Sequence, residues 1–464
     1  METLPITIPK MVRFTKFVGG KIIMKRKKCL AILLSVAMTA GMLIGCAGGE
    51  KAGSVYYLNF KPEVAEVWDE IAKEYTELTG VEVKVSTAAS GTYEATFKSE
   101  VAKRNPPTLF QINGPTGYQS AKEYCLDLSD TELFKNLSDQ SLAITDGDGV
   151  YGIPYVVEGY GIIYNNEIMN NYFALADKAV DITSADEINN FDTLQAVVED
   201  MTKHKEALEI DGVFSSTSFA PGEDWRWQTH LANIPVYYEY LADGVTDKAE
   251  IEFSYNQEFK NIFDLYLNNS ITEPGLVASK TVNDSMAEFA LGRTAMVQNG
   301  NWGWGQIAEV DGNVVNESDV KFMPIYTGVD GEENQGLCVG TENYFAINAQ
   351  ASEADQQATI DFVNWLFTSD EGKKHVVEDL GFIAPFSTFD ETQMPQDPLA
   401  KEIMRYMNDD EKTSVAWAFA TFPSQTFKEI FGASLLEYAQ GNEEWDHVVE
   451  EITTSWAQEK AVTE

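Results

Sequence analysis

Val55-Tyr56-Tyr57-Leu58-Asn59-Phe60, then Val64, Val67, Trp68, Ile71, Ala72 and Tyr75 running up to Thr79-Gly80, then Val81-Glu82-Val83-Lys84-Val85: this stretch decides the fold. The opening hexapeptide is rich in aromatic and β-branched side chains, the composition of a strand. The apolar positions that follow are spaced for one buried face of a helix, and Gly80 is a stop signal. The closing pentapeptide alternates like a half-buried strand. Strand, helix, strand in that order is a βαβ unit, with parallel strands and a right-handed crossover.

The same reading extends downstream. A second helix is predicted over 93–103, broken by Pro106-Pro107. Thr108-Leu109-Phe110-Gln111-Ile112 is the next strand, ending at Asn113-Gly114-Pro115. The carboxyl ends of such strands are where open α/β sheets hold ligands. Residues 152–165 read as a long strand region punctuated by glycine, with a short helix from Asn166. Amphipathic helices are predicted over 191–203, 259–267, 358–366 and 427–438, and strands over 320–325 and 342–347. There is no internal repeat and no low-complexity tract, and the alternation of elements gives an α/β class.

Upstream, Met24-Lys25-Arg26-Lys27-Lys28 opens a basic start, residues 30–42 are apolar or small, and Leu43-Ile44-Gly45-Cys46 closes the run. These are the parts of a secretory signal. The apolar stretch is shorter than the ~20 residues that cross a bilayer. Its last four residues resemble the bacterial lipobox. That resemblance makes Cys46 the lipid-attachment residue of a mature lipoprotein, held at the outer face of the cell membrane. Residues 1–45 are then leader, the signal proper being 24–45, and 46–54 a Gly- and Ala-rich tether. Residues 1–23 carry no functional pattern.

The chain has 33 Lys/Arg and 73 Asp/Glu, of which eight basic and one acidic precede Cys46, so the remainder holds 25 basic against 72 acidic side chains, about −47. Such a surface excludes nucleic acid as a partner, because phosphate backbones are bound by basic patches. Hydrophobic content of 44% supports a packed core rather than disorder. The 419 residues from Cys46 onward exceed what one core usually holds, so two lobes are expected. Cys125 and Cys338 remain after the leader, and the sequence leaves open whether they pair. His204, His230, His375 and His447 show no metal-ligand spacing, so neither metal nor cofactor is expected.

Four stretches resemble the extracellular carbohydrate-binding proteins of bacterial ABC importers, solute-binding family 1. They are Pro107-Thr108-Leu109-Phe110; Tyr151-Gly152-Ile153-Pro154 through Tyr164-Asn165-Asn166-Glu167; Glu288-Phe289 through Gly292-Arg293-Thr294-Ala295-Met296 to Asn301-Trp302-Gly303-Trp304; and Phe362-Val363-Asn364-Trp365-Leu366 through Gly372 to Gly381-Phe382-Ile383-Ala384-Pro385. They come in family order. The resemblance implies a two-lobe periplasmic-binding-protein-like fold with three inter-lobe crossing segments, near 156–160, 320–324 and 368–374. Lobe one would be 54–157 plus 325–368, and lobe two 158–321 plus 375–464. It also implies a monomer that binds an oligosaccharide between the lobes, performs no catalysis and delivers its ligand to permease subunits.

A sugar ring has an apolar C–H face and a rim of hydroxyls, so its site needs flat aromatics and paired polar groups. Trp302, in the glycine-rich turn with Asn301, matches the family's stacking aromatic, and Asn301 is a second candidate there. Glu158 matches a ligand-contacting glutamate at the hinge, its alternative role being a salt bridge across that hinge. Trp225 shares one side with Trp227 if the segment is extended and does not if it is helical. Trp417, Asn113 and Phe60 complete the candidate set. The basic residue and the Asp-Arg pair of maltose-binding members find no match in 111–116, which argues against maltose itself.

Two other classes share some of these features. A binding protein for polyamine, peptide or ferric ion is one, with Tyr237-Tyr238 resembling the adjacent tyrosines of iron binders. An exported glycoside hydrolase needs two carboxylates about 5–9.5 Å apart, and no motif singles out such a pair.

Overall fold

The computed structural model describes residues 53–89, 91–390 and 392–463. The leader, Cys46 and the tether as far as residue 52 lie outside the described residues. The strands in chain order are β1 Val55–Asn59, β2 Val83–Thr87, β3 Leu109–Asn113, β4 Ile144–Asp146, β5 Gly149–Pro154 and β6 Glu158–Asn165. There follow β7 Gly212–Phe214, β8 Thr294–Gly300, β9 Val320–Met323, β10 Gln335–Gly340, β11 Asn343–Ile347 and β12 Thr413–Ala416. They form two sheets, one ordered β2-β1-β3-β11-β5-β4, the other β12-β10-β6-β8-β7 with β9 also on β6.

The opening βαβ unit forms as its pattern requires. β1 and β2 are parallel, Val55 opposite Val83. Helix Ala65–Thr79 buries Trp68, Ile71, Ala72 and Tyr75 and ends where Gly80 takes φ 76°, a left-handed cap that glycine adopts without strain. Trp68 meets Tyr57 edge-on at 4.8 Å. β3 then joins β1 in parallel, and β11 returns antiparallel between β3 and β5. Helices cover this sheet with a core that includes Trp68, Phe345, Phe362 and Leu366. The second sheet is packed by helices 191–203, 233–243, 256–269 and 425–439, around Phe214, Trp227, Phe263 and Phe431.

The lobes are joined differently from expectation at two of three points. The first crossing, Tyr155 to Val157 between β5 and β6, falls near its expected place. The second was expected at 320–324, but β9 pairs with β6 inside the second sheet, Val320 opposite Asn165. β10 also belongs there, and the chain changes lobes at Thr341-Glu342 between β10 and β11. The third was expected at 368–374. Instead Val376, Val377, Leu380, Phe382 and Phe386 all enter the first lobe's core, and Val157 N–H donates to Ile383 O at 2.8 Å. The chain returns to the second lobe before helix Pro398–Met407, whose Leu399 and Ile403 pack with Phe322 and Leu337. So 335–340 belongs to the second sheet and 376–386 to the first core.

Cys125 and Cys338 are both buried and unpaired, one beside each sheet. Among the described residues no helix is long and apolar enough to cross a membrane.

Candidate functional site

The lobes meet on both sides of a cleft. At the hinge, Lys61 follows β1, Glu158 opens β6 and Asn343 opens β11. Lys61 Nζ lies 2.7 Å from Glu158 Oε1, both side chains buried, and Asn343 Nδ2 donates to the other carboxylate oxygen. Burial alone would lower the Lys61 pKa, but Glu158 and Glu63 outweigh it and hold the ammonium above its ordinary value. Glu158 is thus engaged in an ion pair across the hinge. At the mouth, Thr116 Oγ1 donates to Phe422 O at 3.3 Å, and a Cβ added to Gly91 would come 3.3 Å from Gly222 O of the other lobe. The two lobes therefore touch at this edge as well as at the hinge.

Its second-lobe wall is aromatic. Trp302 sits in the turn Asn301–Gly303 after β8, its ring lying over Gly300, where an added Cβ would come within 2.2 Å of the indole. Trp417 follows β12 and lies over Gly340 in the same manner, at 2.6 Å. Only glycine leaves room for either ring. Lys61 Nζ stands 5.9 Å from the Trp302 ring centre. Asn301 is buried, and its Oδ1 accepts from Gly159 N–H at 2.9 Å, which ties the turn to the hinge strand.

Trp225 reaches the same place by an unexpected route. Arg226–Leu231 is a π-helical turn. Its extra residue brings positions five apart onto one side, so Trp225 contacts His230 at 5.1 Å. Trp227 points away into the core against Phe263 and Tyr266. The segment is not extended, so the two tryptophans do not share a side. Arg226 anchors the turn from beneath, donating to Gln298 O, Ser218 Oγ and Ser285 Oγ; burial lowers its pKa to about 10.

His230 is the residue sequence reasoning missed. It stacks on Tyr160 at 4.3 Å and lies 5.4 Å from Trp302 and 6.4 Å from Trp417. It thereby joins three candidates chosen separately. Burial pushes its pKa down to about 3, so the ring is neutral. Among the described residues no group pairs with His230 Nδ1, Trp417 Nε1, Asn343 Oδ1 or Thr341 Oγ1, though all are buried. Each such atom costs roughly 1–3 kcal/mol while unpaired.

The first-lobe wall is polar. Tyr155 hydroxyl donates to Gln111 Oε1, Gln111 Nε2 to Asn113 Oδ1 at 2.5 Å, and Asn113 Nδ2 to Glu94 Oε1 at 3.4 Å. Asn113 is thus one link in a chain that ends on a cleft carboxylate. Phe60 is half-buried and meets Tyr93 edge-on at 5.2 Å, beside Glu94. The structure therefore gathers Trp302, Trp225 and Trp417 on one wall, Phe60 and Asn113 on the other, and Glu158 and Asn301 at the hinge.

Other chemistry lies elsewhere. Trp304 packs with the core beside Ile307. Tyr237-Tyr238 lie on helix Asn233–Asp243, and Tyr238 hydroxyl donates to Gln335 Oε1 at 2.6 Å. Burial raises the pKa of both phenols, against the phenolate that ferric ion requires. Glu443, His447 and Glu451 bring ligand atoms within 4.8 Å of one another at the C-terminal helix, with His447 exposed.

A family profile described as "Bacterial extracellular solute-binding protein" matches residues 70–405. No curated protein sequence matches significantly. Among solved structures, a chitin oligosaccharide binding protein superposes with TM-score 0.70 at 17% identity, covering 89% of this chain and 100% of its own. The GacH receptor of Streptomyces glaucescens, solved unliganded and with acarbose, gives 0.66 at 14% identity, covering 89% and 99%. The solute-binding protein RafE in complex with raffinose gives 0.65 at 16%, covering 88% and 99%. At these identities the likeness speaks for the two-lobe fold, and the profile for the family: this chain belongs to the bacterial extracellular solute-binding proteins.

Proposed function

We propose that this protein is the substrate-binding component of a carbohydrate ABC importer, capturing an oligosaccharide in the inter-lobe cleft and handing it to a membrane permease. One observation carries the reading: Trp225, Trp302 and Trp417 converge on a neutral His230, with unpaired buried polar atoms among them. Indole faces suit the C–H face of a sugar ring. The unpaired indole N–H, imidazole nitrogen, amide oxygen and hydroxyl suit its rim, because hydroxyls both donate and accept. The sugars named for the three similar structures support the same ligand class. The cleft with its lobes touching at both edges is the closed member of an open–closed pair, and ligand shifts the population toward it.

Thermal shift against a panel of neutral oligosaccharides tests this. A ligand at 100 times its Kd adds about 2.7 kcal/mol of stability. No shift across the panel, with polyamines or peptides shifting instead, refutes the sugar reading. Anchoring through Cys46 is tested by Cys46→Ser, which releases the protein to the medium or leaves it as uncleaved precursor. Unchanged partitioning of the variant into detergent refutes the lipoprotein reading.

A further inference from the structure

Beneath the aromatic wall lies a cation that the wall does not display. Arg226, the first residue of the π-helical turn, is 1% exposed. Among the described residues no carboxylate forms an ion pair with it. It holds backbone and hydroxyl groups instead. Nη1 donates to Gln298 O at 2.9 Å, and Nη2 to Ser218 Oγ at 2.6 Å and Ser285 Oγ at 2.9 Å. Each serine passes its own proton onward, Ser218 Oγ to Thr281 O at 2.7 Å and Ser285 Oγ to Val282 O at 2.8 Å. Both hydroxyls are therefore left to accept from the guanidinium.

The Gln298 contact bears on the site most directly. β7 pairs with β8 only through Gly212 with Thr294 and Phe214 with Met296, after which Ser215 N–H donates to Met296 O at 2.9 Å. Carbonyls two apart on a strand face the same edge, so Gln298 O points where the next strand neighbour would be. Arg226 Nη1 supplies the donor that β7 no longer does, and extends the ladder toward Gly300 and the turn that carries Trp302. Along the chain, Arg226 directly follows Trp225. One planar fork thus fastens both the base of Trp225 and the strand leading to Trp302, whose rings lie 6.3 Å apart at 54°. A desolvated charge with no counter-charge is a poor source of stability, whereas a rigid fork fixes several acceptors at set angles.

We propose that Arg226 is a positioning residue of the ligand site, which sets the Trp225 and Trp302 rings relative to each other and so governs affinity without touching the ligand. The assignment rests on the oligosaccharide reading above. Lysine in its place keeps the charge but is a point donor on a flexible stem, so the two rings are no longer fastened by one group.

Calorimetry with maltotriose, raffinose and chitotriose on the full chain tests this, using whichever of the three binds the native protein. Arg226→Lys weakens binding about tenfold, because a binding constellation must be held to within about 0.5 Å. In a Trp225→Ala background the same change costs threefold or less, since residues that act through one another are not additive. Affinity of Arg226→Lys within threefold of native overturns the proposal. So does a tenfold loss in both backgrounds, which marks Arg226 as a support of the fold at large. Should Arg226→Lys fail to fold, Ser218→Ala with Ser285→Ala loosens the same fork while leaving the cation in place, and is read by the same cycle and limits. If none of the three sugars binds the native protein, the oligosaccharide reading falls, and near-ultraviolet circular dichroism of the unliganded protein still judges Arg226. The spectral change caused by Arg226→Lys then matches that caused by Trp225→Phe, and an unchanged tryptophan spectrum overturns the positioning role.

Discussion

Trp302→Ala is the sharpest test of the aromatic wall, because the structure separates its two possible costs. The ring is half-buried, in a three-residue turn, over Gly300, with Trp225 6.3 Å and His230 5.4 Å away at tilted angles. Removing a fully buried Trp costs roughly 3–5 kcal/mol. Half-burial brings the folding penalty here to on the order of 1–2 kcal/mol by the same scale. Lys61 keeps its Glu158 partner, so no buried charge is stranded. On the binding side, a sugar ring laid on the exposed part of the indole covers roughly 50 Å², worth about 1.3 kcal/mol at 25 cal/mol per Å². Ring-face contact adds about 0.5–1.5 kcal/mol. The sum is about 2–3 kcal/mol, a twenty- to hundredfold rise in Kd. Calorimetry with the best-binding trisaccharide reads the second cost, and urea unfolding of the unliganded protein reads the first. A Kd within threefold of native, accompanied by several kcal/mol of lost stability, makes Trp302 a core residue and refutes the stacking argument.

Gly300→Ala should mimic that loss of affinity with little loss of fold, since its new methyl would fall 2.2 Å from the indole and turn the ring aside; unchanged affinity would show that ring placement is not critical. Glu158→Gln leaves the buried Lys61 with only the longer contact to Glu63 at 3.6 Å and should cost about 2–4 kcal/mol in urea unfolding, whereas Lys61→Met with Glu158→Met should be near neutral or stabilising; equal destabilisation by both would contradict the hinge ion pair. His230→Phe keeps the stack on Tyr160 and removes a titration. His230 titrates at about 3 when folded and about 6.5 when unfolded, so the unfolded state binds the extra proton between those values. Its support is full above pH 6.5 and is lost as pH falls toward 3. At pH 5 the loss is about 2 kcal/mol, so the stability of the variant relative to native should rise by that much between pH 7 and 5. Parallel pH profiles would refute a neutral buried imidazole.

What was legible in the sequence is what local physics determines. Helix Ala65–Thr79 shows its buried stripe and its glycine stop in the residue order, and 191–203 is a helix over the predicted span. Trp302 stood out because glycines bracket it, and its ring lies over one of them, Gly300. The crossings were less legible. β9 was foreseen as a strand near 320–325, yet nothing within Val320–Met323 says that its partner is β6 rather than a strand of the other lobe. Thr341-Glu342 separates two strands by only two residues, with no turn signal, so the switch between sheets is written in the pairing and not in the chain. The contact of Trp225 with His230 escaped for a related reason: contact at a spacing of five needs a π turn, and that turn is held by Arg226 reaching Ser218, Ser285 and Gln298, the last two far away in sequence. Sequence thus marks residues whose local backbone is special, while residues brought together by distant pairings stay hidden. The placement of side chains between two lobes is therefore read more surely from the folded chain than from any motif along it.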